Sequence, residues 1–271
     1  MSNPYAALLT KVRETAPLVH HITNYVTVND CANITLGIGA APVMADAIGE
    51  ASDIAAIASS LVLNMGTLND RTIASSLAAG KSANARGVPV IFDPVGAGAS
   101  QLRNDTVAAF TSELQLSVIR GNISEIRFVA GLSSGTRGVD ASAADSSDID
   151  SVCQMAAALA SRLRCVVVVS GATDVVADGS RLLLIENGHP MLSRLTGTGC
   201  MCTSLIGSFC GAAGDAFSGA AAAMLCMGIA GEIAFERSGA LGNGSFHTAL
   251  HDAISLMDAP TLERKACYRE G

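Results

Sequence analysis

The run Thr196-Gly-Thr-Gly-Cys200 is the part of the sequence whose residue types point most directly to chemistry, and an apolar stretch follows it. Glycines let the backbone approach a ligand closely, and the first N–H groups of a helix lack partners inside the helix. The run therefore predicts an anion site that would stabilise a phosphoryl group gaining charge during transfer. A structural turn in which Thr198 caps the helix is the alternative interpretation. The run matches neither the P-loop nor the G-x-G-x-x-G dinucleotide fingerprint.

A second candidate is Asn122-Ile-Ser-Glu125, which follows a predicted strand. Residues i and i+3 share a face in the first turn of a helix, so Asn122 and Glu125 can reach one cation. An amide oxygen and a carboxylate are hard ligands of the kind that Mg²⁺ accepts. The same spacing also describes a capping box, in which Asn122 caps the helix and Glu125 meets the helix dipole. The residues alone leave both interpretations open.

Two charged residues end predicted strands. Asp93 closes the strand PVIFD ahead of Pro94, where its carboxylate could belong to a metal or phosphate site, or could simply form a turn. Arg120 offers a planar cation that suits phosphate, or it is an ordinary exposed strand end. Both residues are therefore candidates for the same polar site.

Near the N-terminus, polar and soft apolar residues occur together in VHHITN (19–24) and APVMA (41–45). Adjacent histidines on a strand point to opposite faces, so His20 and His21 are poor partners for one metal. Asn24 can hydrogen-bond a heteroatom of a ligand. Met44 can pack on a flat ring, although a core methionine explains it as well.

Short apolar runs alternate with helical patterns along the chain. The predicted strands are 61–64, 89–93, 116–120, 165–170 and 181–185. The predicted helices are 50–60, 69–86, 102–114, 149–163, 200–212, 216–236 and 245–257. Continuously apolar strands separated by helices predict a three-layer α/β fold with a mainly parallel central sheet. No linker or repeat divides the chain, so we expect one domain over 1–271.

In such sheets ligands bind beyond the carboxyl ends of the strands. Polar residues follow several predicted strands at these ends, which predicts one polar crevice: Asn64-Met-Gly66, Asp93-Pro-Val-Gly-Ala-Gly98, Arg120-Gly-Asn-Ile-Ser-Glu125 and Ser170-Gly-Ala-Thr-Asp174. Two regions lie outside this pattern. The stretch 131–148 is predicted to be a surface loop, and the charged tail after Pro260 is predicted to fray.

The composition excludes several classes of function. A net charge of −7 without a basic stripe predicts no binding of nucleic acid and no attachment to an anionic membrane. The longest apolar stretch, 219–234, is shorter than a membrane span and is expected to be a buried helix. The first residues do not form a secretion signal. The eight cysteines are scattered without a C-x-x-C pair, which predicts a reducing, cytoplasmic environment.

Taken together, the motifs resemble one family. VHHITNYVTVNDCAN, APVMADA, DPVGAGA, GNISEI, VVSGATD and LTGTGCM occur in the order and approximate spacing of hydroxyethylthiazole kinase, within the ribokinase-like superfamily. The resemblance covers roughly residues 15–258, and TGTGC together with ITNYV and PVMA is far more specific than any single motif. His21, and Gly242-Asn-Gly-Ser-Phe246 in place of a Gly-Pro-Gly turn, depart from the family pattern.

The resemblance implies a role for each candidate residue. Cys200 occupies the catalytic position, where related kinases commonly carry aspartate. The implied binding residues are Asn24, Met44 and Gly197 for the thiazole, Arg120 and Ser170 for ATP, and Asp93 and Glu125 for Mg²⁺ and the phosphates. The resemblance also implies a homotrimer with each site at a subunit interface, so that Asn24 and Met44 can serve a neighbour's Cys200.

The activity implied is transfer of the γ-phosphoryl of ATP to the hydroxyl of the thiazole alcohol in thiamine biosynthesis. Three alternatives remain open from the sequence. The nearest is a related kinase for hydroxymethylpyrimidine. The second is a hydrolase or acyltransferase with Cys200 as a covalent nucleophile. The third is a nucleotide-binding protein without catalytic activity.

Overall fold

The computed structural model describes residues 4–132 and 148–271. Nine strands in these ranges form a single sheet: β1 Leu18–Ile22, β2 Ala41–Val43, β3 Ser60–Asn64, β4 Val90–Asp93, β5 Val118–Asn122, β6 Val166–Ser170, β7 Asp174–Ala177, β8 Leu182–Ile185 and β9 Tyr268–Glu270. The strand order is β2-β1-β3-β4-β5-β6-β7-β8-β9. The first six strands pair in parallel, and β7, β8 and β9 extend the sheet in antiparallel fashion.

Helices cover both faces of the sheet. In chain order they are α1 Pro4–Thr15, α2 Val28–Ile38, α3 Ala51–Ile57, α4 Asp70–Ala85, α5 Gln101–Glu113, α6 Ile123–Val129, α7 Ile149–Leu163, α8 Thr198–Ala213, α9 Ala216–Ser238, α10 Asn243–Ser255 and α11 Ala259–Lys265. One core joins α1, α2 and α8 to α11 to one face of the sheet, and a second core joins α3 to α7 to the other face. The predicted three-layer α/β fold is thereby confirmed.

The alternation of side chains along the strands decides which residues can reach the site. Val62 and Ile91 pack in the core that contains α8, whereas Leu63 and Phe92 pack in the opposite core. Successive strand residues point to opposite faces, so a residue two positions after Ile91 again points toward α8. Asp93 is that residue, and Asn64 holds the same position after Val62; the two are partners in the β3–β4 register.

The strand order reverses at β1. The chain places β2 on one side of β1 and then returns to place β3 on the other side. In open α/β sheets such a reversal opens a crevice at the carboxyl ends of the strands, and ligands bind there. Asn24 follows β1 at this point and Asn64 ends β3. The topology therefore places both amides at the crevice.

Helix α9 is the long apolar helix predicted between 219 and 234, and it is a core element. By length and composition the segment 216–241 could cross a membrane, but 78% of its most apolar window is buried inside the structure. Residues from Gly219 to Gly231 are buried without interruption. The expectation of a buried helix is confirmed.

The prediction that the chain frays after Pro260 is wrong. Leu262 of α11 is fully buried, and β9 pairs with β8 as the outermost strand. The ring of Tyr268 contacts Tyr5 edge to face at 5.3 Å between centroids. Charged residues such as Arg269 and Glu270 suit an edge strand, because charges there discourage pairing with other chains. The predicted loop 131–148 lies outside the described residues except at its ends.

Candidate active site

The glycine-rich turn packs so closely against neighbouring residues that position 197 must be glycine. Gly197 has φ of 88° and immediately precedes α8. A Cβ at this position would lie 2.5 Å from Cγ2 of Thr27, so both the backbone conformation and the packing require glycine. The hydroxyl of Thr198 donates to the carbonyl of Leu192 at 3.0 Å. Thr198 is therefore not the helix cap, and that alternative interpretation is wrong.

The N-terminus of α8 is open. Its cap residue, Gly197, has no side chain to accept from the helix, and the first backbone bond runs from the N–H of Met201 to Gly197 at 2.8 Å. Across the described ranges, the N–H groups of Thr198, Gly199 and Cys200 have no hydrogen-bond acceptor. These groups carry the positive end of the helix dipole, so they form a site for a negatively charged group.

Arg120 lies against this helix end. A Cβ on Gly199 would be 2.5 Å from Nη1 of Arg120, so a side chain at position 199 would displace the guanidinium. Nη2 of Arg120 donates to Oγ of Ser170 at 2.9 Å, so the structure brings together the two residues expected to bind ATP. Its Nε is buried and lacks a partner among the described residues. Arg120 is thus a half-buried cation at the crevice, and its interpretation as an exposed strand end is wrong.

A hydrogen-bonded network connects the strand ends to Cys200. Nδ2 of Asn64 donates to Oδ2 of Asp93 at 2.9 Å and to Sγ of Cys200 at 3.2 Å. Nδ2 of Asn24 donates to Oδ1 of Asn64 at 2.9 Å and to the same sulfur at 3.3 Å. The hydroxyl of Thr203 donates to Oδ2 of Asp93 at 2.9 Å. The network fixes the position of Sγ at the third residue of the open helix.

Asn24 contacts Cys200 of its own chain in this network, at 3.3 Å. The expectation that Asn24 serves a neighbour's Cys200 therefore does not hold for this residue. Met44 follows β2 directly and is half-buried. Because β2 pairs with β1 in parallel, Met44 lies at the same carboxyl edge of the sheet as Asn24.

Glu125 is held by backbone N–H groups on both of its oxygens. Oε2 accepts from the N–H of Asn122 at 2.8 Å, and the Asn122 side chain accepts from the N–H of Glu125 at 2.9 Å. This is the capping box. Oε1 accepts from the N–H of Gly96 at 2.9 Å. Burial, and secondly the nearby charge of Asp93, raise the pKa of Glu125 to about 7. Glu125 is both a structural cap and an acid near Asp93.

The two acidic residues fit a magnesium site. Both are buried, and the negative charge of Asp93 contributes to the raised pKa of Glu125, so a cation between them would relieve repulsion. Oδ1 of Asp93 has no hydrogen bond to the described residues, which leaves it able to ligate a metal. Both oxygens of Glu125 accept backbone N–H groups, so Glu125 fits contact through water, as Mg²⁺ commonly uses.

The environment of Cys200 keeps its thiol protonated. Burial raises the pKa of Cys200 to about 12, and the charge of Asp93 adds to the effect. The hydrogen-bond partners of Sγ among the described residues are the amides of Asn24 and Asn64, with no imidazole to act as base. A thiolate is the form that attacks in covalent cysteine catalysis. The site therefore disfavours the cysteine hydrolase.

His20 and His21 point to opposite faces of β1, as predicted. Nε2 of His20 bonds the carbonyl of Ala45 at 2.7 Å, whereas Nδ1 of His21 bonds the carbonyl of Val19 at 3.1 Å. Both rings are buried, and burial lowers the pKa of His21 to about 4. His20 thus connects β1 to the residues after β2, His21 bonds within β1, and the two neutral rings do not share a ligand.

Three residues at the site had no role assigned from the sequence. Asn64 connects Asn24 to Asp93, and the only sequence signal for it was its position at the end of a strand. Thr203 lies one turn after the glycine run, on the face of α8 that meets Asp93. Arg103 donates to the carbonyls of three loop residues, and no sequence pattern marks it: Met65, Gly66 and Val95.

A doubly covered sheet whose carboxyl edge holds an open helix end, an arginine and two buried carboxylates defines a small-molecule kinase of the ribokinase-like fold. The same fold occurs in an ADP complex of pyridoxal kinase from Bacillus subtilis. That protein has a TM-score of 0.60 and 13% identity, with 79% of this chain and 90% of that chain covered.

The chain belongs to the hydroxyethylthiazole kinase family, whose profile matches residues 9–259. It is 56% identical to the hydroxyethylthiazole kinase of Ruminiclostridium cellulolyticum over 263 residues, which cover 97% of this chain and 96% of that one. The structure of the hydroxyethylthiazole kinase of Pyrococcus horikoshii superposes with a TM-score of 0.89 at 34% identity, covering 98% of each chain. The family and fold predicted from the motifs are confirmed.

Proposed function

We propose that this protein transfers the γ-phosphoryl of ATP to the primary hydroxyl of 4-methyl-5-(2-hydroxyethyl)thiazole, giving the thiazole phosphate and ADP in thiamine biosynthesis. Membership of the family supports this substrate. The observation that carries the chemistry is the open N-terminus of α8, with Arg120 packed against Gly199 and Cys200 at the third helical residue.

The helix end and Arg120 supply the positive charge that phosphoryl transfer requires. The transition state is loose, with negative charge on the equatorial oxygens, so preorganised donors contribute more than covalent chemistry. The N–H groups of Thr198, Gly199 and Cys200 are such donors because no group of residues 4–132 or 148–271 accepts from them. Ser170 holds the guanidinium of Arg120 in place at 2.9 Å. The pair would bind the phosphates of ATP.

Mg²⁺, when bound, neutralises charge on the β- and γ-phosphates. Asp93 would hold it through the free Oδ1, and Glu125 would hold it through water. Thr203 and Asn64 both donate to the other oxygen of Asp93 at 2.9 Å, so the free oxygen keeps a fixed direction. These donors orient the carboxylate without consuming its metal-binding capacity.

Cys200 would meet the substrate hydroxyl. The two amides of Asn24 and Asn64 fix its sulfur, which can accept a hydrogen bond from the alcohol. Because its raised pKa keeps Cys200 a neutral thiol, which is a poor proton acceptor, its role is to position the hydroxyl for in-line attack. Asn24, Met44 and Gly197 are the proposed contacts of the thiazole ring.

We also propose a cytoplasmic homotrimer built from one domain over 1–271. Support for the assembly comes from the loop after Asn24, where Tyr25 is 77% and Val26 57% exposed beside the site. Apolar side chains exposed next to each other at a functional edge suit a subunit interface. Light scattering should give the mass of three 27.5 kDa chains, and a fully active monomer would contradict the assembly.

The experiment that tests the function is an ATP-dependent assay of two alcohols in parallel. We expect ADP formation with the thiazole alcohol to exceed that with hydroxymethylpyrimidine by at least about tenfold in kcat/KM, roughly the value of a few lost contacts. Equal rates, or preference for the pyrimidine, would contradict the substrate. Formation of no phosphate ester from either alcohol would favour a binding protein without catalysis.

A further inference from the structure

A cluster of ligating side chains lies outside the network around Cys200. Asp30 is in the first turn of α2, and His247 and His251 are on α10. Oδ1 of Asp30 lies 3.1 Å from Nε2 of His247 and 3.7 Å from Nε2 of His251. The ligand atoms of the three residues all lie within 4.8 Å of one another.

We propose that Asp30, His247 and His251 bind a divalent transition metal, with Zn²⁺ as the ion that their chemistry matches best. Two histidines spaced i and i+4 present their rings on one face of a helix, as in established zinc sites. Two imidazoles and one carboxylate give three protein ligands and leave a fourth position for water.

The distances suit a metal shared by three ligands, although the 3.1 Å contact of Asp30 with His247 is also that of an ion pair. Ligands held at about 2.0–2.1 Å in a tetrahedral zinc site are about 3.3 Å apart, and the two separations from Asp30 fall on either side of that value. A simple ion pair would need only one imidazole on Oδ1. Here the Nε2 atom of His251 also lies 3.7 Å from the same oxygen, beyond hydrogen-bonding distance.

The cluster is distinct from the magnesium site in both place and chemistry. Its residues come from α2 and α10, whereas Asp93 ends β4 and Glu125 lies in the first turn of α6, directly after β5. Imidazole ligands favour Zn²⁺, Ni²⁺ and Co²⁺, while Mg²⁺ prefers oxygen. The side chains of Asp30, His247 and His251 are 22%, 36% and 21% exposed, so an ion can enter from solvent.

A metal at this place would affect the substrate turn. Oδ2 of Asp30 lies 4.0 Å from where a Cβ on Gly197 would be, and Thr27, the cap residue of α2, packs against the same glycine. The ion would join α2 to α10 and hold the wall that supports Gly197. We expect metal binding to stabilise the fold and to lower KM for the alcohol more than it changes kcat.

The test uses the full chain, stripped with a chelator and titrated with Zn²⁺ by calorimetry, with bound metal counted by mass spectrometry. A Cys267→Ser background removes the exposed thiol, which could bind zinc independently. We expect one Zn²⁺ per chain and a rise in melting temperature of about 5 °C at a hundredfold excess over Kd. Co²⁺ in the same site should give a visible absorption spectrum.

Three variants decide whether these residues are the ligands. Asp30→Asn, His247→Gln and His251→Gln should each weaken Zn²⁺ binding by at least about 100-fold. Even mutation of a residue that only hydrogen-bonds a metal ligand commonly lowers metal affinity 10–100-fold. Asp53→Asn is the matched control, because Asp53 is an exposed acid in the first turn of α3. No binding tighter than about 1 mM, or equal binding in all variants, would overturn the proposal.

Discussion

Helices α8 and α9 follow each other in the chain and both lie in the core, but their N-termini differ. The carboxylate of Asp215 caps α9, accepting from the N–H of Ser218 at 3.0 Å and from its hydroxyl. Both terminal nitrogens of Arg181 donate hydrogen bonds to the same carboxylate. The cap residue of α8 is instead Gly197, which has no side chain to accept a hydrogen bond. One N-terminus is filled by the protein, and the other is left for a ligand.

Acidic residues near the two helix ends show the same contrast. Hydrogen bonds from Arg181 and Ser218 lower the pKa of Asp215 well below its usual range. At the end of α8, burial raises the pKa of both Asp93 and Glu125. A paired acid stabilises the fold, whereas buried acids with raised pKa values are typical of a site whose cation arrives with the ligand. Open N–H donors and buried acids with raised pKa values therefore mark the functional end.

The largest expected effect comes from neutralising the acid near the phosphates. Asp93→Asn should lower kcat by about 10²- to 10³-fold, the cost of losing one preorganised electrostatic contact, and should raise the Mg²⁺ concentration needed. Stability should not fall, because the amide oxygen can still accept from Asn64 and Thr203, and repulsion with Glu125 is removed. Steady-state kinetics at several Mg²⁺ concentrations and thermal unfolding measure both effects.

The matched control is Asp215→Asn at the cap of α9. Asparagine is also a good cap, so this variant should lose only about 1–2 kcal/mol of stability, mainly from the partly exposed ion pair with Arg181, and keep its kcat. Unchanged metal dependence in Asp93→Asn, or a comparable loss of kcat in Asp215→Asn, would break the distinction between the two helix ends.

The next effect compares the third residues of the two helices, Cys200 and Ser218. Cys200→Ala should lower kcat by about 10²-fold, the low end for removal of a general acid–base group, since the thiol is a weak base. Cys200→Asp should keep or improve activity, because a carboxylate oxygen accepts hydrogen bonds better than sulfur. Ser218→Ala should affect stability alone. An inactive Cys200→Asp with intact ATP binding, or a covalent intermediate trapped on Cys200, would favour a nucleophile instead.

Glycines in the two helices sharpen the comparison further. Gly199→Ala places a methyl group 2.5 Å from the flexible tip of Arg120, so the guanidinium must move. Activity should fall roughly tenfold while stability holds, because alanine is the better helix former by about 1 kcal/mol. Gly219→Ala places its methyl group 3.0 Å from the backbone nitrogen of Cys210, which cannot move away easily.

Gly219→Ala should therefore lose about 1–3 kcal/mol of stability by overpacking and keep the kcat of the folded enzyme. Denaturant unfolding together with kinetics separates the two outcomes. A Gly199→Ala variant with wild-type kinetics would show that the position of Arg120 does not matter for phosphate.

The last prediction concerns how stability, rather than activity, depends on pH. The pKa of Glu125 is about 7 in the folded chain and 4.5 when unperturbed, so the folded state retains its proton longer. Stability should therefore fall as pH rises from about 4.5 to 7, because the unfolded state loses the proton first. Glu125→Gln removes this dependence, and its stability relative to wild type should increase by about 3 kcal/mol across that window. Metal-free urea unfolding at pH 5 and pH 8 measures this, and parallel pH profiles would be the contrary result.

The sequence predicted the residues whose signals are local. The glycine run before α8 indicated an anion site, and Asp93 and Arg120 were noted because they follow apolar residues of predicted strands. The role of Cys200 was implied only by the family resemblance, and β5 continues past Arg120 to Asn122. The structure brings Asn24, Asp93 and Cys200 into one network, which local patterns made plausible at the carboxyl edge of the sheet.

Non-local packing explains what sequence reasoning missed. Asn64 carries no charge, and its importance comes from its register with Asp93 across two strands. The C-terminal tail looked like a fraying end because its partner, β8, is far away in sequence. The cluster of Asp30 with His247 and His251 joins two helices that are far apart in the sequence, so no motif spacing could relate Asp30 to the two histidines.

The most direct test of the account is a crystal structure with Mg²⁺, a non-hydrolysable ATP analogue and the thiazole alcohol. We predict that oxygens of the terminal phosphoryl group lie about 2.7–3.1 Å from the N–H groups at the start of α8 and from Arg120, with the substrate hydroxyl beside Cys200. A terminal phosphoryl group bound elsewhere, with the N–H groups of Gly199 and Cys200 left without it, would contradict the account.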